Sequence, residues 1–203
     1  MQKLLIGTTN PAKLNELSRL LADLPLELVS LQDVGITTEV EEDGKNYTEN
    51  SQKKAREYAR LSGLPTIADD GGLEIVALNG APGVKSHRWL GPNTTEEEIV
   101  AHMKKVAKEL PDDNRQAFFK TVVSFALPTG TVQSISGEIE GIIAREPSLN
   151  LIKGFPYRSF FFLPQINKYY FESELTPQEM KMYNHRVKAV NKLKSLLKEP
   201  FHF

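Results

Sequence analysis

Two acids in a row, Asp69-Asp70, follow the apolar run Thr66-Ile67-Ala68 and precede Gly71-Gly72. Read as a strand that ends at the acids, the segment leaves two carboxylates side by side. That is unfavourable unless a cation or a donor neutralises them. Mg²⁺ is the usual partner of a few carboxylates completed by substrate phosphate. Gly71 and Gly72 allow close approach of backbone to a ligand. The plain alternative is an Asp-Gly turn. A second acidic group, Glu41, Glu42 and Asp43, lies within loop residues 39 to 45, and taken alone it reads as a solvated loop. At the N-terminus, Thr8-Thr9-Asn10-Pro11-Ala12-Lys13 joins an apolar strand to a helix. A helix start presents backbone N–H groups and partial positive charge, which suits phosphate. Thr8, Thr9 and Asn10 add donors and Lys13 adds a full charge; the alternative is a capped helix with an exposed lysine. The Gly-x4-Gly-Lys-Ser/Thr pattern of a P-loop is missing. Gly154-Phe155-Pro156-Tyr157-Arg158 could stack on a base and hydrogen-bond to it, or be a core-facing aromatic loop. Asn184-His185-Arg186 lies on a basic helix whose plain reading is a solvated face. The histidines, at 87, 102, 185 and 202, lack metal-ligand spacing.

The elements that must position these residues follow from periodicity. Lys3 to Gly7 reads as a short buried strand. Asn10 caps the next helix, with Pro11 in its first turn and Leu14, Leu17 and Leu21 on one face. A second helix covers 46 to 61, with Tyr47, Ala55, Tyr58 and Ala59 inward. Leu73 to Leu78 continues as a strand until Asn79 to Gly83 turns the chain. Thr94 and Glu97 form a capping box before a helix carrying Ile99, Met103, Val106 and Leu110. Residues 117 to 127 alternate, Pro128-Thr129-Gly130 is a hairpin turn, and 131 to 143 return. Phe160 to Leu163 is a further strand. A helix from about 177 to 198 turns Val187, Val190, Leu193 and Leu197 inward; it carries six Lys/Arg and no acid from Lys181 to Lys198. Helices and antiparallel neighbours together favour a mixed α/β fold over a strictly parallel one.

The 203 residues suit one domain or one bilobed domain. The chain has no cysteine, which excludes disulfides, thiolate zinc and a cysteine nucleophile. A formal net charge of −1 argues against a protein built to coat nucleic acid or membrane. No apolar run approaches the length of a signal-peptide core or a membrane span. The expected compartment is the cytoplasm.

Taken in order, the segments resemble the inosine triphosphate pyrophosphatase family, hydrolases of non-standard purine nucleoside triphosphates. Thr8-Thr9-Asn10-Pro11-Ala12-Lys13 is similar to its Thr-x-Asn-x-x-Lys. Glu42-Asp43-Gly44 and Glu49-Asn50-Ser51-Gln52-Lys53-Lys54-Ala55 resemble its Glu-x-Gly and Glu-Asn-Ala-x-x-Lys-Ala, so Lys54 is the matched lysine. Ala68-Asp69-Asp70-Gly71-Gly72-Leu73, then Leu78-Asn79-Gly80-Ala81-Pro82-Gly83-Val84 with Ser86 and Arg88, resemble its central signature. The resemblance covers nearly the whole chain. It implies a two-lobed mixed sheet flanked by helices, an active-site cleft between the lobes, and a homodimer. It also implies Mg²⁺-dependent cleavage between the α and β phosphates of a nucleoside triphosphate. Glu42 and Asp70 would hold the metal, and Asp70 would act as general base. Thr8, Thr9, Asn10, Lys13, Lys54 and Gly71 would bind the phosphate end. Phe155, Pro156, Tyr157, Arg158, His185 and Arg186 would bind the base end.

The chain departs from the pattern in the second half. Gly71 replaces the family's Ser. Gly-Phe-Gly-Tyr-Asp-Pro has become Gly154-Phe155-Pro156-Tyr157-Arg158-Ser159. Pro147-Ser148-Leu149-Asn150 does not match Pro-Arg-Gly, Met180 stands for a lysine with Lys181 beside it, and Ser-His-Arg reads Asn184-His185-Arg186. An Arg at 158 would favour an acceptor-rich base such as xanthine, unless it pairs with Glu172 or Glu174. Three alternatives stand beside hydrolysis of ITP, dITP and XTP: another modified nucleotide as substrate, a nucleotide binder without turnover, or a nucleic-acid module using the basic C-terminal helix. The last fits poorly with the charge balance.

Overall fold

The structure, a computed structural model, describes residues 1–201; His202 lies outside them. The chain runs β1 (Gln2–Ile6), α1 (Pro11–Leu21), β2 (Leu26–Ser30), α2 (Tyr47–Ser62), β3 (Thr66–Ile75), α3 (Glu96–Glu109), β4 (Gln116–Ala126), β5 (Val132–Ile143), β6 (Phe161–Leu163), β7 (Lys168–Tyr169), α4 (Pro177–Tyr183) and α5 (His185–Phe201), with short 3₁₀ turns between some of them. The strands form one seven-stranded sheet in the order β2-β1-β3-β4-β5-β6-β7. β1 pairs in parallel with β2 and β3, while β6 is antiparallel to β5 and β7. The sheet is mixed and flanked by helices, as the sequence led us to expect.

Two compact units divide the chain. The first comprises residues 1–70, 121–137 and 186–201 of the described chain, the second 71–120 and 138–185. In the first unit, Leu4, Ile6, Ile67, Val123 and Phe125 pack with Leu17 and Leu21 of α1 and with Val190, Leu193 and Leu197 of α5. Leu5 packs with Tyr58 of α2, and Ala68 and Ala126 with Ala55 and Ala59 of the same helix. Successive strand residues face opposite sides of a sheet. Ile67 therefore faces α1 and α5, and Ala68 faces α2. In the second unit, Leu73, Ile75, Phe119, Ile139, Phe160 and Phe161 bury against Ile99, Met103 and Val106 of α3.

Four sequence readings are corrected. β3 does not end at the acids: it runs ten residues through Asp69, Asp70, Gly71 and Gly72 to Ile75, and residues 76–78 form a 3₁₀ turn rather than more strand. The polar Asp-Asp-Gly-Gly run reads as punctuation, but past the pairing with β1 (Leu5↔Thr66, Ile6↔Ile67) the strand continues as the neighbour of β4. Gly72 is required by the protein itself, since a Cβ there would stand 2.5 Å from the Gly83 carbonyl oxygen and 2.2 Å from Ser86 Oγ. The capping box is one residue later than expected, Thr95 with Glu98, because Thr94 Oγ1 donates to the Gly91 carbonyl. The C-terminal helix is broken at Asn184, whose φ of −121° and ψ of 116° are extended. Phe160 belongs to a 3₁₀ turn that precedes β6.

Candidate active site

At the start of α1, Asn10 is extended (φ −83°, ψ 113°) and its Oδ1 accepts from the amides of Ala12 and Lys13, at 2.9 and 3.2 Å. The Asn10 amide donates to Thr8 Oγ1 at 3.2 Å. The expectation of open backbone donors at this helix end is therefore corrected: the side chain of Asn10 occupies two of them, and Pro11 has none to give. Thr9 is exposed, and Thr8 and Asn10 are half-buried. Lys13 is not the exposed lysine of the plain reading. It is 5% exposed, and its ammonium lies 3.4 Å from Asp69 Oδ1.

Lys13, Asp69, Arg186 and Glu16 form one buried group of two cations and two anions. Arg186 Nε donates to Asp69 Oδ2 and Nη1 to Glu16 Oε2, both at 3.0 Å. None of the four is more than 5% exposed. Burial would raise the Asp69 pKa, but Lys13 and Arg186 outweigh it and hold the carboxyl well below the usual carboxylate range. Burial lowers the Lys13 pKa, with Asp69 opposing. The plain reading of residues 184–186 as a solvated face is overturned. Asn184, His185 and Arg186 are all buried, and Arg186 meets acids rather than open space.

Asp70 is the next residue on β3 and so faces α2. Asn50 Nδ2 donates to its Oδ2 at 2.9 Å. Burial raises the Asp70 pKa above the ordinary value; Lys54 opposes this and the charge of Glu42 adds to it. Lys54 pairs with Glu42. Burial alone would lower the Lys54 pKa, but Glu42, Asp70 and Asp69 hold it above its ordinary value. The two neighbouring acids thus differ sharply: Asp69 is neutralised by two cations, and burial and Glu42 raise the Asp70 pKa above its ordinary value.

Glu42 and Asp70 are close enough to feel each other's charge, and one lysine lies beside both. Among the described residues no cage of three or more His, Cys, Asp or Glu gathers. A metal here would have two protein carboxylates at most, with phosphate and water completing it. That donor set fits Mg²⁺, which keeps several waters and takes one or two carboxylates plus substrate phosphate.

The expected base-reading residues lie in the second unit, apart from Arg186, and several are engaged internally. The Arg158 guanidinium carbon lies 3.8 Å from the Phe155 ring centre and 4.7 Å from that of Tyr170. Its Nη1 lies 3.4 Å from Glu172 Oε1, which also accepts from Asn184 Nδ2 at 3.1 Å. Pairing with Glu172, the alternative weighed from the sequence, is what the structure contains. Tyr157 is buried and donates from its hydroxyl to the Ser86 carbonyl at 2.6 Å, and burial raises its pKa. His185 Nδ1 lies 2.9 Å from the Tyr170 hydroxyl, and its ring stacks on Phe119. Pro156 is buried, Phe155 is half-buried, and Gly71 is half-buried within β3.

Sequence reasoning missed the roles of Glu16, Asn50 and Thr121. Glu16 lies three residues after Lys13 and before Leu17, so the apolar stripe of α1 holds a charge opposite in sign to Lys13; that was a signal. Asn50 was quoted within a motif without a role. Thr121 Oγ1 donates to the Asp70 carbonyl at 3.2 Å, a pairing that local pattern does not carry.

Residues 4–196 match the Ham1 family. A dITP/XTP pyrophosphatase of Shigella flexneri is 38% identical over 202 residues, 98% of this chain and 99% of that protein. One of the same name from Geobacter sulfurreducens is 37% identical over 197 residues, 97% of each chain. Among solved structures, a HAM1 protein from Coxiella burnetii aligns with a TM-score of 0.81 at 34% identity, covering 98% of this chain and all of that one. With the match running through β3, α2 and α5, which carry the acids, the lysine and the arginine described above, this chain belongs to the Ham1 family.

Proposed function

We propose that this chain hydrolyses non-standard purine nucleoside triphosphates, with dITP and XTP as the substrates named for its relatives, to a nucleoside monophosphate and pyrophosphate. The observation that carries the reading is the pair on β3: one acid held by the buried cations Lys13 and Arg186, and the next held by Asn50 on the helix whose Lys54 pairs with Glu42. Lys13 and Lys54 bring positive charge to the triphosphate, with Thr8, Thr9 and Asn10 as further donors. Glu42 and Asp70 would hold Mg²⁺, which supplies charge neutralisation of the phosphate oxygens when bound. Asp70 orients the attacking water and accepts its proton as the water oxygen bonds to phosphorus and the α–β anhydride bond breaks. The leaving pyrophosphate carries the bridging oxygen away. Phosphoryl chemistry of this kind needs positioning and electrostatics above all.

The base end is the more distinctive part of the chain. Phe155 is its half-buried stacking surface, with Pro156, Tyr157, His185 and the Arg158–Glu172 pair supporting it. The same reading carries a homodimer and a place with the cytoplasmic nucleotide pool. No helix of the described residues is long and apolar enough to cross a membrane.

Pyrophosphate release over a nucleotide panel, with and without Mg²⁺, tests the proposal. Turnover of dITP, ITP and XTP should exceed that of dATP and dGTP at least tenfold and vanish in excess chelator. Equal rates across the panel, or full activity without a divalent cation, would overturn it.

A further inference from the structure

Asn50 is fully buried on α2, and both ends of its side-chain amide are in use. Its Nδ2 donates to Asp70 Oδ2 at 2.9 Å. Its Oδ1 accepts from the Gly44 amide at 2.8 Å. Gly44 lies two residues after Glu42 in the acidic loop. One turn along the same face of α2, Lys54 pairs with Glu42. The loop is therefore tied to β3 through the Asn50 side chain and to α2 by the Lys54–Glu42 pair. Gly44 is shaped for this link. A Cβ there would stand 2.6 Å from Asn50 Oδ1 and 2.8 Å from Glu49 Cβ, so a larger residue must push the loop off the amide.

Only a carboxamide serves both ends. A carboxylate at position 50 would oppose Asp70, and an apolar side chain would leave Asp70 and the Gly44 amide without this partner. Lys54 attracts Glu42 by charge, but its four-carbon stem does not fix direction as a buried planar amide does.

We infer that Asn50 is a positioning residue that sets the geometry of the Glu42–Asp70 pair, fixing Asp70 through its nitrogen and the Glu42 loop through its oxygen. This rests on the reading of that pair as the divalent-cation site. Asn50 touches neither cation nor nucleotide. It acts by holding two carboxylates from separate elements at one spacing, so that a cation meets a preformed pair rather than one acid at a time.

The test is Mn²⁺ binding to the full chain without nucleotide, followed by water-proton relaxation, for the wild type, Asn50→Leu, Gly44→Ala and the double variant. Asn50→Leu removes the amide from the core side; Gly44→Ala displaces the loop from its exposed side and leaves the core intact. Each should weaken Mn²⁺ at least tenfold, and the double variant should be no weaker than the poorer single, because both cut the same link. Hydrogen exchange at the Gly44 amide should quicken in Asn50→Leu. If Asn50→Leu fails to fold, Gly44→Ala decides the matter alone. Wild-type Mn²⁺ affinity in the folded variants overturns the inference while leaving the cation site standing. A wild type that binds no Mn²⁺ either alone or with added pyrophosphate to complete the ligand set overturns the cation site and this inference with it.

Discussion

Arg186→Met removes one cation from a buried group of four charges. Arg186 joins Asp69 to Glu16, by hydrogen bonds of 3.0 Å each, and all three residues are at most 4% exposed. The variant removes the guanidinium that the two buried acids share. Removing one partner of a buried ion pair costs about 3–5 kcal/mol, since the surviving charge stays desolvated. For a chain of this size each kcal/mol moves the melting temperature by about 2–4 °C, so a fall of roughly 6–20 °C is expected. Arg186→Lys keeps the charge but not the fork that reaches both acids, and should lose about half as much. Adding Glu16→Met to Arg186→Met restores charge balance and should recover part of the loss. Thermal unfolding by circular dichroism, paired with urea titration, measures all three. The loss has a pH signature. Asp69 titrates below its ordinary value in the folded protein, so its contribution is present above the unfolded pKa of about 3.9 and fades as pH falls towards the folded value. The gap between wild type and Arg186→Met should therefore narrow below about pH 4. If Arg186→Met melted within about 2 °C of wild type while its KM rose, the arginine would be serving the nucleotide and not the core, and the reasoning from this charge cluster would fail.

The remaining expectations concern the reaction. Asp70→Asn should lower kcat by about 10²–10⁴, as loss of a general base does, and leave nucleotide affinity within about tenfold; Asp69→Asn should instead lower the melting temperature, and the reverse pattern would exchange the two roles. Lys13→Ala and Lys54→Ala should weaken triphosphates far more than monophosphates, each by about 1.5–3 kcal/mol in calorimetric titrations; equal losses would mean that neither lysine meets the β and γ phosphates. Arg158→Gln should change the XTP to ITP ratio of kcat/KM less than about threefold, because the guanidinium is held by Phe155 and Glu172, whereas Phe155→Ala should weaken all purines alike by about 1–3 kcal/mol of lost stacking. A tenfold swing in the ratio for Arg158→Gln would place the arginine on the base after all.

Much of the first unit was legible because its signals are local. The Asn10 cap, the Pro11 helix start and the leucine stripe of α1 stand within a dozen residues, and each was found where expected. The mixed sheet followed from alternating patterns in the same way. What could not be read was long-range. Arg186 lies 117 residues from Asp69 and 170 from Glu16, so a basic helix that looked solvated by composition turned its first residues inward. The break at Asn184 was hidden for a related reason. Asparagine is only a weak helix breaker, and the Glu172 carboxylate that receives its side chain comes from another segment. Asp69-Asp70-Gly71-Gly72 looked like the end of a strand because its β composition is poor; β4, the other neighbour of β3 in the sheet, carries the strand on past the point where its pairing with β1 stops.

The continuity of β3 has a consequence for how this chain can change over time. Asp69 and Asp70 are the same amino acid, and what separates the one held by Lys13 and Arg186 from the one held by Asn50 is parity along the strand. A substitution nearby alters one environment at a time. An insertion or deletion of one residue between Thr66 and Ala68 is different in kind. It would turn every later side chain to the other face, sending Asp69 towards Asn50 and Asp70 towards Arg186. Composition and charge would be almost untouched, yet the faces that the two acids meet would be exchanged. The stretch should therefore accept conservative replacements, such as Ile67→Val, while rejecting any change in length.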